Sequence, residues 1–93
     1  MAFIKFKLIG KRFIVKMAKL ALVSGKKMCK ILEKLGFEKV MGKGSHVRFK
    51  HLDGRRTVVP VHGNEDLGRG LIRTILNQIK FSREEYDRLR QEV

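Results

Sequence analysis

Residues 45–51 alternate strictly: Val47 and Phe49 are apolar, while His46, Arg48 and Lys50 fall between them. A strand sends successive side chains to opposite faces, so this run reads as a half-buried strand. Val47 and Phe49 would enter a core. His46, Arg48 and Lys50 would share the other face. Asp53-Gly54 then carries the signal for a two-residue hairpin turn, and residues 56–61, Arg-Thr-Val-Val-Pro-Val, make the returning strand. Pro60 has no amide donor, which confines that strand to a sheet edge or ends it there.

The flanking segments supply the cover. Residues 24–36 read as a helix with Ser24 as N-cap, although Lys27 stands where a capping box needs Glu. Met28, Leu32 and Leu35 form one stripe with Ile31 beside it. Gly36 suits the left-handed position after the helix, and Phe37 can fold back on the last turn. Residues 37–41 form a first, less regular strand. A second helix starts near Gly68 or Gly70 and runs to Ile79, with Leu71, Ile72, Ile75, Leu76 and Ile79 on one face. Ser82 and Glu85 form a capping box, with Phe81 and Tyr86 placed as its staple, so a short third helix runs to about Gln91. The expected class is α+β: an α-β-β-β-α order with a three-stranded antiparallel sheet in order 1-2-3, the two main helices on one face, and a short C-terminal helix. This is the arrangement of double-stranded-RNA-binding domains.

Ninety-three residues allow one domain. We assign it to residues 20–93 and treat 1–19 as a dispensable extension, since Met17-Ala18-Lys19 itself resembles a start. Residues 1–16 also fit a hairpin turning at Gly10-Lys11, or a basic amphipathic surface segment. The 22 Lys and Arg outweigh 9 Asp and Glu, giving +13. Such an excess draws polyanions, nucleic acid first and an anionic membrane second. The single cysteine, Cys29, excludes an intramolecular disulfide and fits a reducing compartment. No apolar run reaches bilayer length and no secretory signal is visible, so a cytoplasmic protein without a membrane partner is expected.

Histidine titrates closest to neutrality, so His46 among fixed cations suits proton transfer on an anionic substrate such as RNA. Lys43, Arg48, Lys50 and the backbone of Gly44 and Ser45 are the expected RNA contacts. Arg69 and Arg73 join them, because bases near the first turn of a helix suggest an anion nearby. His51 shares the parity of Val47 and Phe49 and reads as strand-end packing. His62, at a strand end, is read first as a loop-positioning residue and second as a contact to substrate or partner. Cys29 reads as a small core residue. The spacings of Cys29, His46, His51 and His62 match no usual zinc pattern. Carboxylates are few here, which argues against a two-carboxylate metal nuclease. We expect no metal and no small-molecule cofactor. The rival reading is an RNA-binding module of the same fold without catalysis.

Taken together, Leu35-Gly36-Phe37, Gly42-Lys43-Gly44-Ser45-His46, Arg48-Phe49, Asp53-Gly54-Arg55, Val59-Pro60-Val61-His62, Leu67-Gly68-Arg69-Gly70 and Ile75-Leu76 resemble the HicA family of toxin ribonucleases. The resemblance covers residues 24–89. It implies a metal-independent endoribonuclease with a double-stranded-RNA-binding-like fold that cleaves mRNA and is neutralised by a HicB-type antitoxin. It also implies that His46 is the catalytic histidine. Leu52 departs from the family's proline and alters a turn. Leu71 departs from its threonine, removing a hydroxyl near the implied phosphate site. The extension before Met17 is also atypical.

Overall fold

In the computed structural model, residues 20–40 and 44–93 are described. The readings of residues 1–16 and of Lys43 lie outside them. Helix α1 (Gly25–Lys34) is followed by strands β1 (Glu38–Val40), β2 (His46–Lys50) and β3 (Arg56–Pro60), then helices α2 (Arg69–Ile79) and α3 (Arg83–Glu92). The sheet is antiparallel in order β1-β2-β3. The α+β class, the strand order and the third helix are as the sequence predicts.

The hairpin differs from expectation in one residue. Val47 pairs with Val59 and Phe49 with Thr57, and the His51 N–H donates to the Arg55 carbonyl at 2.9 Å. Three residues, Leu52-Asp53-Gly54, therefore form the loop. A two-residue type I′ turn needs positive φ at both central positions. Gly54 has φ +99°, but Asp53 is not among the positive-φ residues. The Gly54 N–H instead closes a β-turn onto His51 O at 2.9 Å, and Gly54 takes the left-handed bulge position that follows. Asp53 braces the turn: its carboxylate accepts from the Arg55 N–H at 3.1 Å and from Arg55 Nε at 2.8 Å. That backbone hydrogen bond, ahead of the Arg55 charge, holds the exposed carboxyl below its usual range.

Helix α1 begins as read: Ser24 accepts from the Lys27 N–H at 3.1 Å. Its C-terminus is a Schellman motif, with Gly36 N–H on Glu33 O and Phe37 N–H on Leu32 O, both at 3.0 Å, and Gly36 at φ +92°. Phe37 spends its N–H on the helix, which is why β1 starts at Glu38 and not at residue 37. Gly25 is buried, and only glycine fits there because any Cβ would collide with the carbonyl oxygen of Pro60. The start of α1 is thereby seated on the end of β3.

The core joins Met28, Ile31 and Leu32 of α1 and Phe49 and Val59 of the hairpin to Ile72, Ile75, Leu76 and Ile79 of α2. Leu71 packs against it, so the position where the family's threonine was expected is an apolar contact here. Tyr86 and Leu89 of α3 complete the core, behind the predicted Ser82–Glu85 capping box. The fully buried Tyr86 donates its hydroxyl to Ala21 O at 2.6 Å, and burial pushes its pKa to about 12. Arg55 reaches the last turn of α2 by donating to Ile79 O, and its guanidinium lies 5.1 Å from the Phe37 ring centre.

Two stability effects follow from these contacts. Tyr86→Phe keeps the packing but strands the Ala21 carbonyl, and should cost about 1 kcal/mol in denaturant unfolding. Leu52 is 94% exposed at the second position of its turn, where proline's fixed φ fits. Leu52→Pro should raise stability by about 0.4–1 kcal/mol by restricting the unfolded chain; a lowered melting temperature would contradict this turn geometry.

Candidate active site on the outer face of the sheet

Both helices pack on the face that buries Phe49 and Val59, which leaves the other face of the sheet open. The register brings to that open face Glu38 and Val40 from β1, His46, Arg48 and Lys50 from β2, and Arg56, Val58 and Pro60 from β3. His46, Arg48 and Lys50 are exposed as predicted. Arg48 sits between Val40 and Val58. Lys50 sits between Glu38 and Arg56. Lys50 and Arg56 are directly opposed like charges, an arrangement that disfavours the free sheet. A hollow of about 400 Å³ runs along Val40, Arg48, Lys50, Arg56 and Val58.

Arg56 escaped the sequence reading for a definite reason. With a two-residue loop at Asp53-Gly54, Lys50 would face Thr57, and Arg56 would turn toward the core. One residue of register flips every side chain of the returning strand. Only the extra loop residue puts Arg56 beside Lys50.

His46 lies at the start of β2, opposite Pro60. Gly44 precedes it with φ +63° and with no described atom within 4 Å of where a Cβ would stand. Ser45 O accepts the Val61 N–H at 2.7 Å, fixing the strand just before His46. Gly44 and Ser45 also border a second hollow of about 430 Å³ on the helix side, with Lys26, Lys30 and Lys39 around it. Cys29 lines this hollow too. Burial pushes its thiol up, more than Lys39 lowers it, which suits a packing residue.

Arg69 and Arg73 are not gathered with His46. Arg69 Nε donates to Leu20 O at 3.3 Å, tying the segment before α1 to the start of α2. Arg73 borders a small cavity with Leu20, Leu76, Asn77, Phe81 and Arg83, to which the sheet contributes nothing. The first turn of α2 holds no acid, and Gly68 gives it no side-chain cap.

The three histidines divide clearly. His51 is engaged: its ring meets Phe37 edge-on at 5.0 Å, and Nδ1 accepts from the Asp53 N–H at 3.2 Å. It is the strand-end packing residue that its parity predicts. His46 and His62 are exposed, and neither imidazole has a hydrogen-bond or ion-pair partner among the described residues. Among those residues no three His, Cys, Asp or Glu side chains cluster. A free imidazole in line with Arg48 and Lys50 can exchange a proton with an anion held by those cations.

A family model described as HicA toxin of bacterial toxin-antitoxin matches residues 25–81, from the first residue of α1 to just past α2. The probable mRNA interferase HicA of Pseudomonas fluorescens (strain Pf0-1) is 42% identical over 48 residues, covering 52% of this chain and 78% of that protein. The match contains the whole sheet, with His46 and the cationic row beside it, and on this evidence the chain belongs to the HicA toxin family.

Proposed function

We propose that the chain is the toxin of a toxin–antitoxin pair and acts as an endoribonuclease that cleaves mRNA and so halts translation. The observation that carries this reading is the exposed imidazole of His46, without a partner among the described residues and in one row with Arg48 and Lys50, in a chain of the HicA family. The relative's name, mRNA interferase, supports the substrate class.

The cleavage we infer needs no metal and no cofactor. The ribose 2′-hydroxyl attacks the adjacent phosphorus, the bond to the 5′-oxygen breaks, and a 2′,3′-cyclic phosphate is left. His46 moves a proton in this step. Lys43, Arg48 and the amides of Gly44 and Ser45 stabilise charge growing on the phosphoryl oxygens. Lys50 and Arg56 hold the strand by its phosphates, and Arg69 and Arg73 contact RNA further along. The antitoxin is an acidic, HicB-type protein that covers the His46 face, since opposite charge speeds its encounter with this surface. The pair works in the cytoplasm; among the described residues no helix is long and apolar enough to cross a membrane. Residues 1–19 are a dispensable extension of the domain at residues 20–93.

His46→Ala should reduce cleavage of a labelled single-stranded RNA by about a hundredfold or more, the usual contribution of a positioned acid or base. RNA affinity should persist, because it comes mainly from Lys and Arg on phosphates. Arg56→Gln should weaken binding and lower its salt slope by about 0.7, one single-strand phosphate contact. EDTA should leave the wild-type rate unchanged. RNA bound but never cut by the wild-type protein would favour the non-catalytic module instead. Separately, a chain lacking residues 1–16 should unfold cooperatively and retain activity; loss of the transition would assign the extension to the core.

A further inference from the structure

Transfer of a phosphoryl group to the 2′-oxygen involves two protons. One leaves the attacking hydroxyl and one reaches the departing 5′-oxygen. The proposed function gives one of them to His46 and leaves the other without a residue. His62 is the second exposed histidine without a side-chain partner among the described residues.

The sheet register places it. His46 pairs with Pro60, and the Val61 N–H bond to Ser45 O at 2.7 Å carries the ladder one step past the strand end. Val59 is buried and Val61 packs against the core. Pro60 faces outward with His46, and the same alternation carried two residues past the strand end would turn His62 to that face. On that continuation His62 would be the diagonal neighbour of His46, at the roughly 7–8 Å backbone spacing of such pairs, within reach of long side chains. Gly44, on the β2 side of this diagonal, has no described atom within 4 Å of where a Cβ would stand.

A loop-positioning role for His62 finds no support in the contacts of its loop. The loop is held by Glu65 N–H on His62 O at 3.0 Å, by Leu67 N–H on Val23 O at 2.8 Å, and by the bridge between Ser24 and Asp66. None of these uses the His62 ring.

We propose that His62 is the second catalytic residue of the site, the general acid paired with His46 as general base. The inference rests on the ribonuclease reading above. His46 takes the proton of the 2′-hydroxyl as the new oxygen–phosphorus bond forms. His62, as imidazolium, gives its proton to the 5′-oxygen as the old bond breaks, leaving a cyclic phosphate and a 5′-hydroxyl. His46 shares its strand face with Arg48 and Lys50, whereas His62 opens a loop carrying Glu65 and Asp66.

The test compares two substrates: an ordinary RNA, and the same RNA with sulfur replacing the scissile 5′-oxygen. A thiolate leaves without needing a proton. In the full-length protein, His62→Ala should cut the ordinary RNA about a hundredfold more slowly and the sulfur substrate within about threefold of wild type. His46→Ala should remain slow on both. Equal slowing of His62→Ala on both substrates would make the residue structural and overturn the pair. So would wild-type rates on both, or rescue of His46→Ala by sulfur. If wild-type protein cuts neither substrate, the ribonuclease reading falls and this inference with it; if it cuts both and His62→Ala is unaffected, only the pair falls.

Discussion

The β2–β3 register governs both the interior and the site of this small domain. It is set at the turn, where Gly54 takes φ +99° and Asp53 ties its carboxylate to the backbone and side chain of Arg55. With three loop residues, Val47 meets Val59 and Phe49 meets Thr57 on the helix side, and the outer face receives His46, Arg48, Lys50 and Arg56. With two, the returning strand would present Arg56 and Val58 to the core. Burying an unpaired guanidinium costs several kcal/mol, so burial itself enforces the observed register. Arg55 adds a long-range restraint through its hydrogen bond to the end of α2 and its approach to Phe37.

Closure of the domain depends on a few positions where backbone meets backbone. Gly25 lets the start of α1 sit against Pro60, and the Schellman turn at Gly36 aims Phe37 into the core and releases the chain as β1. Tyr86 then fastens α3 to Ala21, the segment that enters α1. By contrast the ion pair between Lys34 and Glu92, 3.0 Å long and about half exposed at both ends, adds little. Helix ends and glycines therefore fix the frame on which His46 is presented.

Most of this frame was legible in the residues. Caps, stripes and the alternation of residues 46–50 are local signals, and Ser24, Gly36, Ser82 and Glu85 perform the roles their types predict. His46, Arg48 and Lys50 were legible as one face for the same reason, and the motif set around them pointed to the family. Asp53-Gly54 misled because the dipeptide marks a turn without fixing its length. The side on which Arg56 falls depends on that length. Arg69 and Arg73 were read from helix-end electrostatics, which says that a base is out of place there but not what it touches. The carbonyl of Leu20, which receives Arg69, lies 49 residues away in the chain. No local pattern contains such a contact.

The distribution of acids shows why the outer face invites a polyanion. Of the nine acidic residues, four lie in α3, where Glu85 caps the helix and Asp87 and Glu92 pair with arginines or Lys34. Asp53 is committed to the turn. Among the described residues Glu38 is the only carboxylate the register puts on the sheet's open face, directly opposite Lys50. Arg48 is flanked by valines, and Arg56 stands opposite another cation. Neighbouring cations without counter-charges raise the free energy of the isolated face and lower it again when phosphates or carboxylates arrive. Under the proposed function the same surplus would serve an RNA strand and an acidic protein, each excluding the other from the face. Inhibition by occlusion would then need no conformational change: competition for one set of cations around His46 would suffice.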